Sequence, residues 1–432
     1  MELIEKIKEA GVVGAGGAGF PTHVKLNCKA DCFIVNGMEC EPLLRTDRHI
    51  MELHAKEIVR TALVIKKHLG AGRTVIALKE HYREAVDALR QAARNTGVEL
   101  RLSESFYPAG DEQNLVFRVT GRTVPTGGIP LDVGAVVSNV GTVLNIADAL
   151  KGKPVVDKPV TVTGAVRNPV TLRVPIGTPL RKLLDAAGGA VGDCAFLVGG
   201  PLMGRLTDDL SRPVTKTTGG LLAIEKGHPL LAKKTSNPRD RMLAAAVCCQ
   251  CSMCTQMCPR NAMGLNVQPH KAMRAFAYGD DRLVGDVNGV FSCCDCGVCT
   301  YFACNFGLKP SQAMQRVKAR LQKDGVRPVK EVKYPPDGGI ANKRIPTERL
   351  LQRLDLKKFD REAPVGEAPP VTEVRIPLKM HTGVPSKPVV SVGQTVERGQ
   401  LIADLTKLSA KIHASIDGTV TRVTGEFIEI RK

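Results

Sequence analysis

Two runs of cysteine between residues 248 and 304 limit most strongly how this chain can fold. They read Cys248-x2-Cys251-x2-Cys254-x3-Cys258-Pro259 and Cys293-x2-Cys296-x2-Cys299-x4-Cys304. Three thiolates at intervals of three wrap one [4Fe–4S] cube, and the fourth, marked by proline, reaches across to a partner cube. That logic sets Cys248, Cys251 and Cys254 with Cys304, and Cys293, Cys296 and Cys299 with Cys258. The second run departs from the pattern, with an extra residue before Cys304 and Asn305 in place of proline. Cys249 and Cys294 are out of phase and read as spare thiols. Structural zinc favours pairs of CxxC rather than four cysteines in one short run. Disulfides belong to small secreted domains in oxidising compartments. Two adjacent cubes form a short path for electrons.

At 432 residues the chain has room for several domains and a substantial core. No run of eighteen apolar residues exists, so no membrane insertion is expected. The start, MELIEKIKEA, lacks the basic-then-apolar order of a secretory signal. A cytoplasmic location follows as the expectation, since thiols stay reduced there. The formal charge of +18 suits anionic cofactors or an acidic partner. Nucleic acid is not expected: tryptophan is absent, aromatics are only 4%, and no nucleic-acid-binding motif is present.

Along residues 1–155, strand-like and helix-like segments alternate, which predicts an α/β layer. Strands are expected at 32–36, 73–78 and 98–102, and helices at 48–69 and 82–95. From 157 to 235 a hairpin turning at Asn168-Pro169, a helix over 178–189 and a further strand suggest a β-grasp module. Residues 239–325 carry both cysteine runs among helices. Residues 326–370 are rich in proline and charge and read as a linker around a short helical segment. Residues 371–432 turn β-rich, with glycines at turn positions.

Gly14-Ala15-Gly16-Gly17-Ala18-Gly19 is the second strong feature, since glycines let backbone N–H groups approach a phosphate closely. It satisfies G-x-G-x-x-G, yet only Val12 and Val13 precede it as a strand, so the dinucleotide-binding context is incomplete. The wider segments GAGGAGFPTHVK (14–25), VNGMECEPLLRTDRHIM (35–51), YPAGDEQNLVFRVTGRTVPTGG (107–128) and NVGTVLNIADAL (139–150) resemble the flavin- and NADH-binding subunit of respiratory complex I. With the β-grasp module and both clusters, nearly the whole chain resembles the C-subunit-like family of the Rnf electron-transport complex. Here the barrel-sandwich module comes last, around RIPLKMHTGVP (375–385), as in the cobalamin-reductase branch of propanediol-utilising microcompartments.

The resemblance implies a multidomain α/β and β protein: a complex I flavoprotein-like domain, a β-grasp (SLBB) module, a helical two-cluster ferredoxin-like domain and a terminal barrel-sandwich hybrid. It implies FMN at Gly14, Gly16, Gly17 and Gly19, with Lys25 as cationic partner. Asn36, Gly110, Asp111, Glu112 and Asn139 match flavin-pocket positions, and Glu39 and Glu41 match an acidic pair beside the nicotinamide nucleotide. Met38 stands where the complex I subunit has aspartate. Electrons would pass from NADH through FMN and two [4Fe–4S] clusters to a corrinoid or a protein acceptor. Implied surroundings are a microcompartment shell, or Rnf-type partners that hold the chain at the inner membrane. Two other readings are the electron-entry subunit of an Rnf-type complex and a non-catalytic electron-transfer scaffold.

Cys28, Cys32 and Cys40 fit no cluster spacing and read as buried thiols, as does the isolated Cys194. Lys407 falls near the hairpin that carries a modified lysine in lipoyl domains. Its neighbours Thr406 and Leu408 do not match, so the tail reads as a docking module.

Overall fold

The computed structural model describes residues 2–432. Helix α1 (Leu3–Glu9) leads through a glycine loop into a parallel sheet. The strands are β1 (Cys32–Gly37), β2 (Arg73–Lys79), β3 (Glu99–Ser103) and β4 (Ala135–Asn139), in the order β3-β2-β1-β4. β1 and β2 are buried almost throughout, as continuous apolar runs in a parallel sheet require. The crossover helices are α2 (Thr46–Leu53), α3 (Ala55–Leu69), α4 (Arg83–Ala93), α5 (Glu112–Thr120) and α6 (Val140–Leu150).

The single helix expected over 48–69 is two. His54 leaves helical geometry at φ −127°, ψ 27°. The break lets α2 aim its first amides at Glu39 while α3 packs along β1 and stops at left-handed Gly70. Val12 and Val13 form no strand before the glycine loop, only one bridge, between Val13 and Pro21.

The second sheet contains β5 (Asp157–Gly164), β6 (Val170–Pro175), β7 (Cys194–Val198), β8 (Arg205–Thr207) and β9 (Gly220–Glu225). Its order is β6-β5-β9-β7-β8, with β5 and β9 parallel and helix α7 (Leu180–Ala186) packed against β9. The β5–β6 hairpin turns where Asn168-Pro169 marks it. Then follow α8 (Pro229–Lys234), α9 (Asp240–Val247), α10 (Pro269–Tyr278) and α11 (Pro310–Lys323), which enclose the cysteine runs.

Residues 326–370, expected as a linker, act as a strap. Ile345–Pro346 pairs with Phe106–Tyr107, Val365–Gly366 adds a parallel edge strand beside β6, and Arg45 pairs with Asp360 at 2.7 Å. The terminal β module does more than dock loosely. Val374, Ile376, Ile402 and Ile412 share one apolar cluster with Ile7, Val12 and Val155. Gly19, at φ 72°, lies so close to Met380 that a Cβ there would stand 2.9 Å from its carbonyl oxygen.

Candidate flavin and iron–sulfur site

The chain runs β1, β2, β3 to one side and then returns to place β4 on the other side of β1. Ligands of open parallel sheets sit beyond the carboxyl ends of strands at such a switch point. Asn36 lies at that end of β1 and Asn139 at that end of β4. Asn139 caps α6 through Gly141 N–H at 2.8 Å and donates to Asp47 Oδ2 at 2.7 Å. Asn36 donates to the Gly110 carbonyl at 2.9 Å and accepts from Met38 N–H at 3.1 Å, fixing residue 110 beside β1.

The glycine loop closes over this end. Ala15 N–H donates to Thr142 Oγ1 at 2.9 Å, and the buried Lys158 Nζ donates to the Ala15 carbonyl at 2.9 Å. A Cβ on Gly16 would lie 2.6 Å from Asn139 Nδ2, whereas one on Gly17 would meet nothing within 4 Å. Gly14 N–H is spent on the Phe20 carbonyl at 3.0 Å, and Thr382 ties down Ala18 and Gly19 from the terminal module. The exposed backbone of Gly16 and Gly17 is therefore open to a phosphate, as FMN needs. Lys25 and Glu112, both partly exposed, pair at 2.6 Å.

The carboxylates expected beside a nucleotide are engaged elsewhere. Glu39 accepts from the Asp47 and Arg48 amides at 3.0 and 3.2 Å, anchoring the start of α2. Its backbone sits at φ 30°, and Lys79 Nζ holds its carbonyl at 3.0 Å. Burial pushes the Glu39 carboxyl above the usual range, against the pull of those amides. Glu41 accepts from Leu202 and Met203 N–H at 2.9 and 2.6 Å, clamping the second sheet's loop to the flavin domain. Burial raises its pKa too. Both carboxylates brace the pocket wall, their oxygens already occupied by backbone amides. Met38 is fully buried among Phe106, Ala109 and Leu115.

Segment 107–111 joins this pocket to the cysteines. Asp111 caps α5 through Asn114 N–H at 3.1 Å and forms a two-pronged pair with Arg260, at 2.7 and 2.8 Å. Both side chains are under 10% exposed. Burial opposes the Arg260 charge, but Asp111 together with the neighbouring Cys294 and Cys296 outweighs it and raises the pKa. Tyr107, 1% exposed, donates its hydroxyl to the Cys296 carbonyl at 2.7 Å. Gly110 N–H points at Cys40 Sγ, 2.7 Å away, and burial pushes the Cys40 thiol up to about 12, so it stays neutral.

The cysteines gather in two groups. One cavity is lined by Cys248, Cys249, Cys251, Cys254 and Cys304. Its rim includes exposed Met253 and Phe306, and Cys251 itself is exposed. In the second group Cys258 acts electrostatically on each of Cys293, Cys296 and Cys299. Burial holds Cys254 and Cys258 near 12 as free thiols. Cys254 and Cys299 pack together between the groups. Cys294 also lies against Cys296, while Cys249 is exposed. Among the described residues no three metal-binding side chains converge on one ion.

Asp47, Lys158, Arg260 and Tyr107 were not legible as site residues. Burial, then the Glu39 charge, raises Asp47 to about 7, and burial lowers Lys158 to about 8. Arg260 had one signal, its place directly after Cys258-Pro259.

Known proteins match the same layout. Residues 7–148 match the Nuo51 FMN-binding domain, 159–206 the SLBB domain, 247–309 the 4Fe-4S dicluster domain and 352–430 the RnfC barrel sandwich hybrid domain. The cobalamin reductase PduS of Salmonella typhimurium is 41% identical over 99% of this chain and 96% of its own length. A component of the Na(+)-translocating ferredoxin:NAD(+) oxidoreductase complex of Acetobacterium woodii is 35% identical over 60% of this chain and 58% of its own. A solved NAD+-reducing [NiFe]-hydrogenase in the H2-reduced state aligns at TM-score 0.48 and 19% identity, over 76% of this chain and 63% of that one. The chain belongs to the PduS family within the RnfC-like proteins, an oxidoreductase that transfers electrons on FMN and iron–sulfur clusters.

Proposed function

We propose that this protein takes electrons from NADH and delivers them, through FMN and two [4Fe–4S] clusters, to a corrinoid. Bound FMN would accept the nicotinamide electron pair and release it one electron at a time. Gly16 and Gly17 amides, with Lys25, hold its phosphate; Asn36, Gly110 and Asn139 shape the wall against its ring. Cys258, Cys293, Cys296 and Cys299 hold the cluster nearer the flavin, and Cys248, Cys251, Cys254 and Cys304 the outer one. One observation carries this order: segment 107–111 touches the flavin pocket at Gly110 and the second cysteine group through Tyr107 and Arg260. The first group opens instead to the surface. The corrinoid acceptor is supported by full-length similarity to proteins named cobalamin reductases.

No helix among the described residues is long and apolar enough to cross a membrane. Residence in a microcompartment follows the same relatives. Anaerobic mixing of holoprotein with NADH and cob(III)alamin tests the reading. NADH-dependent formation of cob(II)alamin supports it; flavin and cluster reduction without corrinoid reduction would refute the acceptor.

A further inference from the structure

A groove of about 580 Å3 opens between α8, α9, α10 and α11, beside the outer cysteine group. Met273 and Leu308 line both this groove and the cavity of Cys248, Cys251, Cys254 and Cys304. A single layer of side chains thus separates the two spaces. The groove is mainly apolar, with Phe276 in its wall. At its mouth Met242 and Leu243 are 61% and 43% exposed, an unusual placement for adjacent large apolar residues.

Charge is arranged around that apolar interior. Asp240, the groove's one acid, is taken by Lys309 at 2.9 Å. Lys233, Arg239 and Arg316 also line it, and among the described residues none has a carboxylate within ion-pair distance. Arg316 lies 4.6 Å over the Phe276 ring, which holds its guanidinium at the wall. The volume falls within the range of small-molecule sites, about 300–1,000 Å3.

We infer that this groove binds the acceptor, and that its occupant is the phosphodiester-bearing tail of a corrinoid, a step that rests on the corrinoid reading above. The phosphodiester meets Lys233, Arg239 and Arg316. The aromatic base of the tail enters the apolar cleft, and the corrin ring stays at the mouth against Met242 and Leu243. One electron crosses the Met273–Leu308 layer per event, without atom transfer. One NADH supplies two, reducing two Co(III) centres to Co(II) and leaving NAD+ and one proton.

The test measures equilibrium binding of cob(II)alamin and of cob(II)inamide, which lacks the phosphodiester and base, to anaerobic holoprotein. The proteins are the parent, Lys233→Gln/Arg316→Gln and Leu243→Asp, each checked first for unchanged iron and flavin content. The double variant should weaken cob(II)alamin binding about tenfold and leave cob(II)inamide within about twofold. Leu243→Asp should weaken both. Equal cob(II)alamin affinity in all three proteins, with the parent reducing cobalamin, overturns the groove alone. A parent that neither binds nor reduces cobalamin overturns the corrinoid reading and the groove with it.

Discussion

The Arg260–Asp111 pair allows the sharpest test of how the flavin domain is joined to the clusters. Arg260→Met would leave the Asp111 carboxylate buried, with only the Asn114 amide at 3.1 Å to satisfy it. Removing one partner of a buried ion pair costs about 3–5 kcal/mol, because the other charge is stranded. Removing both partners with apolar residues of similar volume recovers most of that loss. Asp111 also caps α5, and Arg260 also donates to the Gln113 side-chain oxygen; these contributions, about 1 kcal/mol each, are not recovered. Arg260→Met/Asp111→Leu should therefore be only about 2 kcal/mol less stable than the parent, and the single variants each at least 3 kcal/mol less. Urea unfolding of the four holoproteins, followed through flavin release, gives the coupling by a double-mutant cycle. A coupling below about 1 kcal/mol, or a double variant as unstable as the summed singles, would refute the bridge.

Gly16→Ala drives a Cβ to 2.6 Å from Asn139 Nδ2 and should lower FMN affinity at least tenfold; fluorescence titration with unchanged affinity would count against the loop assignment. Gly17→Ala meets no protein atom within 4 Å, so any loss of FMN there reports contact with the ligand itself. Cys304→Ser should remove the outer cluster, about four irons, and Cys249→Ala none; the reverse result in iron analysis would reassign the fourth ligand. Burial, then Lys216 and Lys411, lowers His413 to about 3 from its ordinary 6.5. A depressed base is neutral in the fold and protonates on unfolding. Its stabilisation is therefore full above pH 6.5 and is lost as pH falls toward 3. Melting temperatures between about pH 7.5 and 4.5 should fall less in His413→Gln than in the parent, and parallel slopes would contradict this.

Much of the architecture was legible because the signals are local. The buried run CFIVNG can be read from composition, and the cysteine spacing and glycine loop are short-range patterns. What escaped depends on contacts distant in sequence. Nothing near Ile345 indicates that it pairs with Tyr107, nor near Asp360 that it meets Arg45, so the strap looked like a linker. Glu39 and Glu41 were read as an acidic pair beside the nucleotide, but which groups their oxygens meet is decided by how α2 and the 202–203 loop fold back. The break at His54 has the same origin, since an uninterrupted apolar periodicity gave no reason to stop.

The most direct check is the number of electrons that the anaerobic, fully loaded protein takes up in coulometric reduction. FMN accepts two and each cube one, so the account predicts about four electrons per chain. An uptake of two, the flavin alone, or of three, with a single cluster, would contradict it.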